Sequence, residues 1–303
     1  MREATASPMS EQLSLFGKKC DLDRIINVAS VPQRSPFRYP GGKMWLVPRV
    51  RQWLASLPQR PALFIESFAG GSIVSLTVAA ERLADHVIMV ELDDQVAAVW
   101  RSILEGDGHW LADRIVMFDL TMANAEAVIA KAPESIREKA FQTILKNRIY
   151  RGGILAHGSG MLKYGENGKG IKSRWYPQTL KKRITAITEM RDRITFIEGD
   201  GIETMRQYAD RPDAVFFIDP PYTAAGKKAG RRLYIHSELD HGELFRVTNA
   251  VAGDFLMTYD DAEGVRKLAC GQWFDIELVA IKSTHHAEMT ELLIGRNLAW
   301  ARS

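Results

Sequence analysis

Short apolar runs recur along this chain, each followed by a longer amphipathic stretch, and that alternation most constrains its fold. Ala62 to Ile65, Val87 to Val90, Ile194 to Ile197, Ala214 to Ile218, Phe255 to Thr258, Ile276 to Ile281 and Glu291 to Ile294 read as strands, rich in β-branched and aromatic residues. Helical patterns lie between them, among them Ser72 to Arg82 and Asp93 to Leu104. A chain that keeps switching from period 2 to period 3.6 predicts an α/β open sheet covered by helices.

Composition excludes several other classes. Of 303 residues, 46% are hydrophobic and 25% charged, which is ordinary globular usage and not that of a disordered or collagen-like chain. No apolar run reaches the ~18 residues of a membrane span. The first thirty residues lack the basic-then-apolar pattern of an export signal, so a cytoplasmic protein is expected. Two cysteines, Cys20 and Cys270, exclude a disulfide scaffold and a four-cysteine zinc site. His285-His286 has no matching ligands at metal spacing, so no metal is expected; Trp273 and Phe274 read as core. Residues 1–36 carry Ser7-Pro8, Val31-Pro32 and Ser35-Pro36 without sustained periodicity and read as a flexible tail.

Charge is unevenly spread. The whole chain is only +3, yet residues 137–193 hold 14 of its 40 Lys and Arg and 4 of its 37 Asp and Glu. Tyr150, Tyr164, Trp175 and Tyr176 are interleaved there, with a Gly-rich stretch from Gly152 to Gly170. Basic side chains mixed with aromatics are the electrostatic footprint of a nucleic-acid partner, and charge alone leaves a solvated loop face equally open.

The sharpest chemical signal is Asp219-Pro220-Pro221-Tyr222, directly after the apolar run Ala214 to Ile218. Ligands of open α/β sheets bind at the carboxyl ends of the strands. Two prolines hold a stiff turn and offer carbonyls without N–H donors. A carboxylate and a fixed carbonyl can together accept both hydrogens of an amino group while Tyr222 stacks on a flat ring, which suits the exocyclic amine of a nucleobase. A strand ending in a proline turn with an incidental Asp is the bland alternative.

Four segments in order resemble the Dam-type, S-adenosylmethionine-dependent DNA adenine methyltransferases, over about residues 37–297. They are Phe37-Arg38-Tyr39-Pro40-Gly41-Gly42-Lys43, Phe64-Ile65-Glu66-Ser67-Phe68-Ala69-Gly70-Gly71-Ser72, Asp219 to Tyr222, and Thr290-Glu291-Leu292-Leu293-Ile294. The resemblance implies a Rossmann-like methyltransferase sheet formed by 37–135 and 194–303, with an inserted, mainly helical target-recognition domain at 136–193. It implies S-adenosylmethionine as cofactor, held by Tyr39, Gly42, Lys43, Glu66, Phe68, Gly70, Gly71, Glu91, Asp200 and Asp219. Gly70 and Gly71 permit close backbone approach and positive φ. Glu91, where the family usually has Asp, can accept both ribose hydroxyls. Asp200 resembles the adenine-side acidic residue and equally suits a helix N-cap before Ile202. Lys43 can neutralise a carboxylate or be a solvated lysine after a Gly-Gly turn.

The same resemblance assigns catalysis to Asp219, Pro220, Pro221 and Tyr222, acting on an adenine flipped out of duplex DNA. Asp at the first position favours adenine, since related amide and cytosine enzymes more often carry Asn or Ser. DNA contacts are expected from Asn147, Arg148, Arg151, Lys163, Lys172, Arg174, Lys181 and Lys182 in the insert and from Lys227, Arg231 and Arg232 after Tyr222. In the tail, Gln12-Leu13-Ser14-Leu15-Phe16 resembles the peptide that docks on the bacterial replication sliding clamp; Gln12, Leu13, Leu15 and Phe16 would be the anchors, and packing on its own domain is the other reading. Double-stranded DNA is the expected partner, with a monomeric enzyme and no membrane. RNA adenine methylation and a clamp-tethered DNA-binding protein without activity are the alternatives.

Overall fold

The computed structural model describes residues 31–38, 41–156, 158–221, 239–282 and 288–302. The clamp-like peptide at Gln12 to Phe16, Cys20, Tyr39, Pro40, Tyr222, Lys227, Arg231, Arg232 and His285-His286 lie outside the described residues.

Seven strands form one sheet: β1 (Leu63–Glu66), β2 (His86–Glu91), β3 (Ile194–Glu198), β4 (Ala214–Ile218), β5 (Phe255–Asp260), β6 (Asp275–Lys282) and β7 (Glu288–Gly295). Their spatial order is β3-β2-β1-β4-β5-β7-β6. The first five are mutually parallel, and β7 runs antiparallel between β5 and β6. Each apolar run read from the sequence corresponds to one of these strands, with ends that differ by one to a few residues; β1 starts at Leu63 and not at Ala62. The fold is the expected Rossmann-like α/β sheet.

Alternation along the strands sorts side chains to two faces. In β4, Val215 and Phe217 join a core with the helices at Val47–Ser56, Ile73–Glu81 and Asp94–Ser102. Phe216 and Ile218 join the other core, with the helices at Gly201–Gln207, His241–Ala250 and Glu263–Gly271. Both faces are covered, as a parallel sheet requires. The strand order reverses between β1 and β4, which places a crevice at their carboxyl ends.

The long β2–β3 crossover carries the basic segment. Its helices at Ile136–Ile149 and Pro177–Glu189 bury Phe141, Ile144, Leu145, Leu180 and Ile184 in the same core as Trp100 and Leu111. Their apolar faces thus pack into the core on one face of the sheet.

Residues 31–36, read as tail, are packed: Val31, Ser35 and Pro36 are buried. The reason is a clamp that sequence periodicity does not reveal. Asn147 accepts the Arg38 N–H at 2.8 Å and donates to the Arg38 and Gly153 carbonyls, each at 2.8 Å. Arg148 donates to the Pro36 carbonyl and Arg183 to that of Ser35 at 3.0 Å. Phe37 lies 5.5 Å from Trp100, centroid to centroid. Asn147 is fully buried, so the expected DNA contact there is corrected: it fastens the segment leading to Lys43. Trp273 is also corrected, being 70% exposed at φ +61°, whereas Phe274 is core as expected. Among the described residues, no helix is long and apolar enough to cross a membrane.

Asn147→Ala would leave three backbone groups unpaired, one buried and two partly buried, so it should lower the free energy of urea unfolding by on the order of 3 kcal/mol. A loss below about 1 kcal/mol would show that the clamp is not what orders this segment.

Candidate active site at the switch point

Adjacent parallel strands bring Glu66, Glu91 and Asp219 to one end of the sheet. Glu66 closes β1, pairing in register with Phe217 of β4, and Asp219 follows Ile218 at the end of β4. The turn after β1 is tight: Ala69 N–H donates to Val90 O at 2.8 Å and Ser72 N–H to Ala69 O at 2.6 Å. Gly70 has φ +46°, and Ser72, at φ +50°, also adopts the left-handed region. Gly71 does not, so the expected positive φ falls on Gly70 and Ser72. A serine tolerates this because its hydroxyl donates to Glu66 Oε2 at 2.6 Å. Phe68 is partly buried against the second core.

Glu66 is almost fully buried and also accepts the Ser75 N–H at 3.3 Å. Burial pushes its carboxyl up to about 7; the Ser72 and Ser75 donors oppose this, and the charge of Asp219 adds to it. Glu91 is likewise raised to about 7, by burial first, against three backbone donors. Those donors are Gly70 N–H at 2.7 Å, Leu92 N–H at 2.9 Å and Asp93 N–H at 2.9 Å. A carboxylate has about four acceptor positions, so three are taken and one remains for a ribose hydroxyl. The expectation that Glu91 accepts both hydroxyls is therefore corrected: it is chiefly the fastener of the Gly70 turn. Asp93 caps the helix at Asp94–Ser102.

Asp200 is the N-cap of the helix at Gly201–Gln207, accepting Ile202 N–H at 2.7 Å and Glu203 N–H at 3.0 Å. Gly201 was missed in the sequence. A Cβ there would stand 2.0 Å from the Ser67 carbonyl oxygen, so only glycine lets this turn lie against the end of β1.

Asp219 is held from two sides. Thr258, fully buried on β5, donates to Oδ1 at 2.8 Å, and Lys43 Nζ is 3.0 Å from the same oxygen. Lys43 is 5% exposed, donates to Gly41 O at 3.1 Å and lies 3.6 Å from Glu291 Oε2. Burial opposes its charge, but Asp219 and Glu291 outweigh it and raise the ammonium pKa above the ordinary value. Lys43 is thus neither solvated nor aimed only at a cofactor. The Asp219 side chain keeps 20% exposure, so the site opens to solvent there. Thr258 and Glu291 are site residues to which the sequence reading gave no role, although Thr258 ends one apolar run and Glu291 stands in the Thr290 to Ile294 segment. Gly42 is exposed beside Lys43.

In the basic layer, Arg151, Lys163, Lys172 and Lys182 are exposed. Lys172 and Lys181 pair with Asp119 at 3.4 Å and Asp113 at 2.7 Å. Arg174 pairs with Glu166, and Arg148 is buried. Tyr164 is 82% exposed among them.

The cradle fits a nucleoside cofactor with a cationic amino-acid end. Two carboxylates with raised pKa face one glycine turn, and the buried Ser67 hydroxyl there has no hydrogen-bond partner. Among the described residues there is no metal-ligating cluster.

No family model matches the chain. No curated protein matches it. Among solved structures it is similar to an rRNA methyltransferase from Streptomyces viridochromogenes, at 14% identity and TM-score 0.39, covering 92% of this chain and 94% of that one. It is also similar to a precorrin-6y C5,15-methyltransferase from Geobacter metallireducens, at 10% identity and TM-score 0.34, covering 91% and 94%.

Glu66 makes a signed pH prediction. Its folded value of about 7 exceeds the ordinary 4.5, so its contribution to stability is complete below pH 4.5 and is lost as pH rises through 7. Glu66→Gln removes that loss. The cofactor-free variant should be more stable than wild type at pH 8 by about 2–3 kcal/mol, the gap closing by about pH 5. Urea unfolding across this range checks it; a variant less stable at pH 8 contradicts it.

Proposed function

We propose that this chain is an S-adenosylmethionine-dependent methyltransferase acting on the exocyclic amine of adenine in duplex DNA. The observation that carries this reading is the Asp219 carboxylate, held by Lys43 and Thr258 at the switch point and followed by Pro220 and Pro221. An acceptor that is oriented and partly open suits an amine donor. The reading takes further support from the basic, aromatic-bearing layer packed beside the sheet.

When bound, the cofactor supplies an electrophilic methyl group. Glu66 would receive its ammonium end, the N–H groups of the Gly70 turn its carboxylate, and Glu91 a ribose hydroxyl. Asp219 and the Pro220 carbonyl accept the two hydrogens of the adenine amine, which frees the nitrogen lone pair from the ring and directs it toward the methyl. Tyr222 stacks on the base. Asp219 takes the proton that the amine loses. Orientation and electrostatic fit supply the rate enhancement, and no protein nucleophile is needed. A base in a duplex is out of reach, so the target adenine flips out. Arg151, Lys163, Lys172, Arg174, Lys181, Lys182, Lys227, Arg231 and Arg232 hold the backbone around it.

Expression in a methylation-free bacterial host followed by single-molecule sequencing tests the reaction. Methylated adenines in one short context are expected. Asp219→Ala should abolish them while the purified variant still binds DNA. Thr258→Val should lower kcat on the order of tenfold through loss of one hydrogen bond to the catalytic carboxylate. An unmodified genome with soluble wild-type protein would overturn the DNA reading.

We also propose that Gln12 to Phe16 tethers the enzyme to the replication sliding clamp, its Leu and Phe filling an apolar groove. Leu15→Ala with Phe16→Ala should abolish clamp binding in surface plasmon resonance without changing methylation of free DNA. Unchanged clamp binding would end this idea.

A further inference from the structure

Four guanidinium groups converge where the Ser35–Arg38 segment meets the basic layer: Arg38, Arg148, Arg174 and Arg183. Arg148 is 6% exposed, and its pKa falls to about 9 through burial first and then repulsion from Arg183, Arg38 and Arg174. Two buried donors in the cluster, Arg38 Nη1 and Arg148 Nε, have no partner. The carboxylate that answers this charge is Glu166. Its Oε1 accepts from Arg38 Nη2 at 2.5 Å, and its Oε2 accepts from Nε and Nη2 of Arg174.

The loop that carries Glu166 does not need this side chain for its shape. Gly165 N–H donates to Leu162 O at 2.9 Å, Gly170 N–H to Tyr164 O at 2.8 Å, and Glu166's own N–H to Ser173 Oγ at 3.1 Å. Gly165 packs so closely that a Cβ would lie 1.8 Å from the Gly170 carbonyl oxygen. One carboxylate with an oxygen on each of two arginines reproduces how a phosphodiester presents its two non-bridging oxygens. Arg174 is 42% exposed on its side chain, so an incoming anion can reach it.

We propose that Glu166 holds the place of a backbone phosphate, and that on docking a phosphodiester of duplex DNA takes over the Arg174 and Arg38 donors as Glu166 turns out to solvent. This deepens and rests on the nucleic-acid reading above. In the free protein the carboxylate keeps the arginines ordered and lowers their attraction for any passing polyanion. Arg38 lies on the same segment as Lys43, so the phosphate is captured on the chain that also holds Asp219.

The test uses full-length protein and a short fluorescein-labelled duplex of random sequence, read by anisotropy without turnover. Glu166→Gln should tighten binding roughly tenfold at moderate salt, and Arg174→Gln should weaken it by a similar factor. On the Arg174→Gln background the gain from Glu166→Gln should shrink, because only Arg38 is left to be freed. Unchanged or weaker binding by Glu166→Gln overturns the proposal. In wild-type protein the Arg174 Nε–Hε resonance should shift on adding the duplex, which decides the matter even if the variant fails to fold; an unmoved resonance overturns the site. A duplex RNA run in parallel separates the two backbones, and tightening on RNA alone overturns the DNA assignment. Because no step depends on methyl transfer, an inactive but DNA-binding protein would count against the proposed reaction only. Methyl transfer with no Glu166 effect would count against this site only.

Discussion

A buried ammonium and two carboxylates tie together three stretches far apart in the chain: Lys43 near the start of the packed structure, Asp219 after β4 and Glu291 on β7. A charge removed from water is tolerable only when its partners are present and well placed. That requirement locks the three stretches to one geometry. The Gly41–Lys43 turn must come down over the sheet, β7 must lie within reach of β4, and Asp219 must turn toward both. Thr258 adds a neutral donor to the same carboxylate oxygen, so β5 is bound into the cluster as well.

From this cluster the rest of the site follows along the chain. Upstream of Lys43, the 31–38 segment is gripped by Asn147, Arg148 and Arg183. The helices that supply these groups belong to the basic crossover between β2 and β3. Side chains of the positively charged layer are therefore hydrogen-bonded directly to the backbone of the segment that precedes Lys43. Trp100 adds a second link, donating to the Gly70 carbonyl at 3.0 Å while its ring lies against Phe37.

The carboxylates of the strand ends illustrate how far residue type alone can mislead about role. Glu66 and Glu91 stand where a sequence reading places them, yet their surroundings differ. Glu66 faces two serines and the charge of Asp219, and Glu91 is occupied by three backbone N–H groups. Asp219 was legible because a long apolar run ends abruptly in a carboxylate and two prolines. Thr258 and Glu291 were not, since a threonine or glutamate in a strand is commonplace until its neighbours are known. Gly201 was hidden for the same reason: its importance is the 2.0 Å approach of Ser67, a contact between residues more than a hundred positions apart.

Local pattern by itself determined the strands, their alternation with helices, the glycine turn after β1 and the acidic strand end at Asp219. Each of these depends on residues close in sequence: period, turn chemistry and burial of an apolar run. Tertiary structure decided the rest. It chose which carboxylates meet Lys43, turned Asn147 and Arg148 inward as a clamp on residues 36–38, left Trp273 in solvent, and set Glu166 among the arginines. The physical reason is common to all four. Pairing of charges and satisfaction of buried donors are settled between elements, after the sheet has brought distant segments within a few ångströms of one another.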